Sequence, residues 1–155
     1  MQEAAQHTRV NVRQATPMDI IPAFHLMKEF KEDSLAEYGF EINPDYCLEV
    51  FKEYVNSSLV AEEDGKVVGV ITGFLSTFPL DGSQVYNELA WFVSKGHRRV
   101  GVVLLKALES MCKNLGIKRI VMVALANSQS EKLAKFYEAA GYRHLETHYI
   151  KQLED

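Results

Sequence analysis

Arg98 and Arg99 stand where a strand-like run passes into a helix-like one: ELAWFV at 88–93, SKGHRRVG at 94–101, then VVLLKALESMCKNLG at 102–116. These residue types and this spacing suit an anion that carries two phosphates. Backbone N–H groups at a helix start have no acceptor inside the helix, and the helix dipole adds positive potential there. Two guanidinium forks add fixed donors that match phosphate oxygens. A second segment, FYEAAGY at 136–142, lies about one strand and one helix downstream. Taken alone, the loop has a plainer reading as a strand-loop-helix join with incidental surface arginines, because short glycine patterns give many false positives.

The elements that must position these residues follow from periodicity and punctuation. Thr8, Val10 and Val12 alternate with Arg9, Asn11 and Arg13, which predicts a half-buried strand. Thr16, Pro17 and Asp19 combine a capping hydroxyl, a first-turn proline and an acid facing the dipole. The helix they start carries an apolar stripe of Ile20, Phe24, Met27 and Phe30. Asn43-Pro44 starts a second helix with Leu48, Phe51 and Val55 inward. Asp64-Gly65 between β-rich runs at 59–63 and 66–75 is a hairpin signal. Residues 78–83 read as a loop and 84–93 as the next strand, on which Glu88, Ala90 and Phe92 should share a face. The third helix sets Val100, Val103, Leu104, Ala107, Leu108, Met111 and Leu115 at a 3.6-residue period, with Gly116 as its stop. Residues 117–126 are almost unbroken apolar, as in a central strand buried on both faces. Ser128 with Glu131 can form a capping box for a fourth helix, striped by Leu133, Phe136, Tyr137 and Ala140 and ended by Gly141. Residues 143–152 close the chain as a strand. The order is β-α-α-β-β-β-α-β-α-β, which predicts an α/β chain with one sheet covered by helices.

Composition bounds the function. The 155 residues suit one domain, placed at 8–155 after a frayed 1–7. Hydrophobic residues at 47% and charged residues at 25% are ordinary for a globular chain. A net charge of −4 argues against nucleic acid as a partner. No apolar run is long enough for a membrane span, and residues 1–10 are polar, so no signal peptide is expected. The two cysteines, Cys47 and Cys112, fall inside helical patterns, so a reduced, cytoplasmic protein is the default expectation. His144 and His148 could share a strand face, yet no Cys or carboxylate set accompanies them, so no metal site is expected. Cys112 lacks a Cys-His nucleophile context.

This order and these motifs resemble the GNAT superfamily of acyl-CoA N-acetyltransferases, over nearly the whole chain. AEEDGKVVGVITGF at 61–74 is similar to the second and third strands of the short single-domain members, and the run from Asn127 to Leu153 is similar to their C-terminal block. The resemblance implies a mixed, mostly antiparallel sheet flanked by about four helices. The family's phosphate loop reads Arg/Gln-x-x-Gly-x-Gly/Ala. Counted from the strand end, Arg98 is the family arginine, Gly101 the first glycine and Val103 the third small position. Counted back from Leu104-Leu105, Gly101 is the second glycine and Arg99 stands at the first. The first register is favoured, with Arg98 as the anchor, since spacing from the strand fixes where the loop begins; either register lacks one glycine.

The resemblance implies acetyl-CoA as co-substrate, with Arg98, Arg99, Val100, Gly101 and Val103 around the pyrophosphate. It implies a cleft where the strand ending at Val93 splays from the next one, with backbone groups near Phe92 and Val93 holding the pantetheine. Asn127 matches an asparagine that contacts CoA, or is simply a loop residue after a strand. Tyr137 is the implied general acid for the thiolate, or a core aromatic. Glu88 is the candidate base for the amine proton, or an exposed or capping glutamate. The region between the first two helices lines the acceptor site in this family, so Glu32, Asp33, Glu37 and Tyr38 are candidates to attract a cationic amine; the plain reading is a solvated helix end. The expected reaction is direct acetyl transfer to a primary amine in a ternary complex. Two other readings share the fold: a non-catalytic acyl-CoA-binding module, and a protein-interaction module. The amine-bearing acceptor, small molecule or protein, stays open, and a homodimer is a family-level expectation.

Overall fold

Asp64 and Gly65 make the turn that their residue types predict. Both sit at positive φ, 51° and 77°, as a tight two-residue hairpin requires. They join β2 (Leu59–Glu63) to β3 (Lys66–Thr77). In this computed structural model, residues 9–127 and 129–154 are described. The chain divides into two compact units, the first running to Met122 and the second starting at Val123. The expected frayed segment 1–7 and the Ser128 half of the expected capping box lie outside the described residues.

The first unit holds a five-stranded sheet in the order β1-β2-β3-β4-β5, with β1 at Val10–Gln14, β4 at Gln84–Val93 and β5 at Arg119–Val121. The first three pairings are antiparallel and the last is parallel. A 3-10 turn at Pro17–Asp19 leads into α1 (Ile20–Phe30). Asp19 Oδ2 accepts the Thr16 N–H at 2.7 Å, so the acid caps the turn. Asn43 Oδ1 accepts the Tyr46 N–H at 3.1 Å and starts α2 (Pro44–Tyr54) as expected. Ala23 and Leu26 of α1 and Phe51 of α2 bury against Val60, Val70 and Phe92, with Phe24, Met27 and Phe30 packed around them. The Phe30 and Phe92 rings lie 4.7 Å apart.

The opposite face takes α3 (Arg98–Asn114). Gly69 precedes Val70 and so faces the other way; a Cβ there would meet Leu104 and Val100. Val100, Leu104 and Leu108 are fully buried, with Leu105 and Cys112 beside them. Val103 and Leu115, which the period places inward, are exposed at 40% and 63%. Gly101 explains the difference: it lies close to Trp91 and Val93, which turns the line of Gly101, Leu105, Leu108 and Cys112 onto the sheet. Leu115 follows the last helical residue. Gly116, at φ 73°, ends the helix.

Three further expectations are corrected by the fold. Glu88 does not share a face with Ala90 and Phe92 by simple alternation. Thr72 pairs with Ala90 but Gly73 pairs with Glu88, so Leu89 is an extra residue in β4 and the side-chain phase shifts there. The strand expected at 117–126 is only Arg119–Val121, because its ladder with β4 stops at the Asn87–Val121 pair. The closing strand expected at 143–152 does not form, and Leu145, Tyr149 and Ile150 are exposed. Alternation marks a capacity to pair; a strand also needs a ladder partner. The second unit contains α4 (Ser130–Ala139), on which Tyr137 is buried near the ring of Tyr142 at 5.6 Å. Among the described residues, no helix is long and apolar enough to cross a membrane.

Candidate active site

The join between β4 and α3 is a built corner of the first unit. The Ser94 N–H donates to Val68 O at 2.9 Å, which extends the sheet bonding by one residue past β4. A turn then closes from His97 N–H to Ser94 O at 3.1 Å, with Gly96 at φ 80°. That left-handed position requires glycine, so Gly96 sets the angle at which the loop enters α3. Arg98 is the first residue of α3 and His97 is its N-cap. The helix start therefore falls on the paired arginines, and its N–H groups and dipole face the loop.

The arginines differ in their surroundings. Arg99 Nη2 donates to Glu63 Oε1 at 2.7 Å. His97 Nδ1 lies 2.5 Å from the second oxygen, Oε2, of the same carboxylate. Glu63 is only 7% exposed, and its carboxyl is held below the usual range first by the Arg99 hydrogen bond and then by His97. Arg98 is exposed, and among the described residues no side-chain hydrogen bond or ion pair holds it. Gly101 is buried against Trp91 and Val93, so it serves close packing of helix on sheet. Val100 is fully buried, whereas Val103 is exposed.

The other end of the loop is tied to α1. Glu29 Oε1 accepts the Lys95 N–H at 2.7 Å, and Ser94 Oγ lies 3.2 Å from Oε2. Lys95 Nζ pairs with Asp33 at 3.0 Å, an interaction that raises the lysine's pKa. Asp33 lies on a π-helical turn at Lys31–Leu35 that continues α1. Of the four acceptor candidates, Asp33 thus faces the loop's own lysine. Glu32 and Glu37 are exposed, and Tyr38 stacks on Phe40 with centroids 5.5 Å apart.

Phe92 and Val93 lie on the part of β4 that runs past its ladder with β5. That ladder covers only Val85–Asn87 against Arg119–Val121. Glu88 sits at the point where the ladder ends and the bulge begins, half-buried opposite Gly73. In the second unit, Tyr137 Oη donates to Val123 O at 3.0 Å. Asn127 Oδ1 accepts the Gln129 N–H at 2.9 Å, so it shapes the turn before α4. Cys112 is buried, and burial pushes its thiol up to about 11, which leaves it without a nucleophilic role at neutral pH.

Glu63 and Glu29 are the residues that sequence reasoning missed. Their partners lie 36 and 66 positions away. Neither stands in a motif. The only local hint is that Glu63 immediately precedes the Asp64-Gly65 turn, whose tight geometry fixes the direction of its neighbours.

Comparison with known proteins agrees with this arrangement. The model of the acetyltransferase (GNAT) family matches residues 24–142. A search of curated proteins finds no match. Solved structures match along nearly the full length. An aminoglycoside N-acetyltransferase in complex with CoA is 17% identical, with a TM-score of 0.73, covering 99% of this chain and 100% of its own. A ribosomal-protein-alanine N-acetyltransferase from Brucella melitensis is 16% identical, with a TM-score of 0.73, covering 93% and 99%. An aminoglycoside acetyltransferase from an uncultured soil sample is 20% identical, with a TM-score of 0.70, covering 94% and 99%. At these identities the structures speak for the fold, and the family model speaks for descent. With a five-stranded mixed sheet, a β4 that runs past its β5 ladder to a helix start, and a family match over most of its length, the chain belongs to the GNAT acetyltransferase family, whose enzymes transfer acetyl groups from acetyl-CoA.

Proposed function

We propose that this protein transfers an acetyl group from acetyl-CoA to a primary amine by direct attack within a ternary complex. One observation carries the reading. The β4–β5 ladder stops at Asn87–Val121, β4 continues to Val93, and the chain then enters α3 at the exposed Arg98. A ligand with an extended amide arm and a pyrophosphate fits a strand edge that leads to a helix start. Acetyl-CoA supplies a thioester carbonyl open to a nucleophile and a sulfur that leaves readily.

Arg98 and the first turn of α3 bind the pyrophosphate, while Val100 and Gly101 seat that turn on the sheet. Backbone groups of Phe92 and Val93 hold the pantetheine arm and polarise the carbonyl, an electrostatic contribution that dominates such chemistry. Glu88, at the bulge, accepts the proton that the amine must lose, directly or through water. By resemblance to the family, Tyr137 Oη gives a proton to the departing sulfur and Asn127 contacts the CoA. Val103, exposed on the first turns of α3, borders the same anion. Glu32 and Glu37 draw a cationic acceptor, with Tyr38 offering an aromatic face. Asp33 takes a lesser part, because Lys95 already neutralises it.

A second reading, acyl-CoA binding without turnover, is favoured by one feature: the loop at 94–101 lacks one glycine of the family pattern. Calorimetric titration with acetyl-CoA, followed by thiol release against aminoglycosides, polyamines, amino acids and an alanine-terminated peptide, separates the two. Saturable binding with thiol release on an amine supports transfer. Binding without release on any of these supports the second reading. No binding to folded protein sinks both.

A further inference from the structure

We propose that Glu63 is a positioning residue for the pyrophosphate loop, holding His97 and Arg99 so that Arg98 between them is presented to the phosphates. This rests on the acyl-CoA reading above and adds to it a residue outside the loop.

The geometry is specific. Each Glu63 oxygen serves a different partner: Oε1 takes Arg99 Nη2 at 2.7 Å, and Oε2 takes His97 Nδ1 at 2.5 Å. Those partners flank Arg98 in sequence. Successive helical residues point about 100° apart, so pinning both neighbours fixes the rotation of the first turn and directs Arg98 away from the carboxylate. Glu63 itself is not free to drift. It ends β2, pairs with Val10 and with Lys66, and adjoins a turn whose residues sit at φ 51° and 77°.

The charge arrangement has the same sense. A buried carboxylate beside an anion site repels the anion unless its charge is met. Here the Arg99 guanidinium meets it, with His97 Nδ1 against the other oxygen, and Arg98 is left to supply the field. The loop also lacks one glycine of the family pattern. Fewer backbone amides can then approach the phosphates closely, which places more of the burden on one well-aimed guanidinium. Glu29 fixes the other end of the loop through the Lys95 N–H at 2.7 Å. The loop is therefore held by carboxylates at both ends, with Arg98 at the tip of the held segment.

A residue that only stabilises the fold would weaken every ligand alike. A residue that positions the phosphate loop weakens only ligands that carry the pyrophosphate. The test is calorimetry of CoA and of pantetheine, which lacks the pyrophosphate, on wild type and Glu63→Gln, with circular dichroism to confirm the helices. Glu63→Gln is expected to weaken CoA about tenfold and pantetheine less than about twofold, because a charged hydrogen-bond pair is lost at the loop alone. Equal weakening of both ligands, or unchanged CoA affinity, overturns the proposal. Should Glu63→Gln fail to fold, His97→Gln removes one of the two anchors at a part-exposed position. It is expected to weaken CoA about threefold with pantetheine unchanged, and unchanged CoA affinity there overturns the proposal equally. Wild type that binds no CoA overturns this inference together with the functional reading. Wild type that binds CoA without turnover sinks only the catalytic reading, and the Glu63 comparison still decides this one.

Discussion

Arg99 and Glu63 meet across 36 positions of sequence, Nη2 donating to Oε1 at 2.7 Å. That bond gives different roles to two adjacent arginines that look equivalent in the sequence. Arg98 faces solvent at the helix start, while Arg99 ties that start to the β2–β3 hairpin.

Arg98→Ala is therefore expected to weaken acetyl-CoA binding about tenfold, the worth of a charge-assisted phosphate contact, with no change in melting temperature. Arg99→Ala is expected to weaken binding less and to lower the melting temperature, since it leaves the Glu63 carboxylate with His97 alone. Calorimetry and thermal melts on both variants check this. Equal effects on binding with equal melts would remove the distinction.

Tyr137→Phe tests the acid role. The hydroxyl donates to Val123 O at 3.0 Å, so its loss is expected to cost about 1 kcal/mol of stability. Turnover should fall about tenfold, toward the low end for a general acid, because a thiolate leaves without much help. The KM for acetyl-CoA should hold. Wild-type turnover in this variant removes the acid role and leaves Tyr137 as a packing residue.

Acid should destabilise the first unit through Asp19. Its carboxyl is depressed first by the Arg13 hydrogen bonds, at 2.7 and 2.9 Å, against an opposing burial effect. A depressed carboxyl contributes stability that is full above its unfolded pKa, about 4, and is lost as pH falls through the folded value. Wild type should thus lose melting temperature from about pH 4 downward. Asp19→Asn should be less stable at neutral pH by about 1–2 kcal/mol, the worth of a charged hydrogen bond, since the Arg13 side chain is 34% exposed and keeps its pair with Glu62 at 2.6 Å. It should also lose less on acidification. Parallel acid melts of wild type and variant would contradict the assignment.

Gly73 and Gly69 offer a contrast on one strand. At Gly69 a Cβ would lie 2.8 Å from Leu104 Cδ1, the end of a flexible side chain. Gly69→Ala should cost about 1–2 kcal/mol, as ordinary overpacking does. At Gly73 a Cβ would overlap the Asn87 carbonyl oxygen and the Tyr86 ring. Backbone beside a bulge cannot give way, so Gly73→Ala should cost more than about 3 kcal/mol. Denaturant melts of the two variants rank them, and an equal or reversed order would show that the bulge is soft.

The candidate site was legible in the sequence to the extent that its parts are local. The loop at 94–101 declared itself through its glycines, its arginines and the helical period that follows. Its grip by Glu63 and Glu29 did not, since those partners lie on other elements and belong to no motif. The two phosphate-loop registers illustrate the same limit. Spacing from the strand end favours Arg98 as the anchor, but it says nothing of the packing of Gly101 against Trp91 and Val93 or of the start of α3 at Arg98.

The sequence by itself determined the elements whose signals are short-range. These are the Asp64-Gly65 turn, the caps at Thr16–Asp19 and Asn43, the α3 period, and the order of strands and helices up to α4. Each depends on torsion preferences and side-chain spacing within a few residues, which a single segment encodes. Only the tertiary structure decided what depends on a partner: the extra residue at Leu89 that resets the phase of β4, the early end of the β4–β5 ladder, the missing strand at 143–152, and the carboxylate that divides Arg98 from Arg99. A ladder or an ion pair is a relation between distant segments. Its energy exists only once folding has brought both sides together, so neither side carries its mark alone.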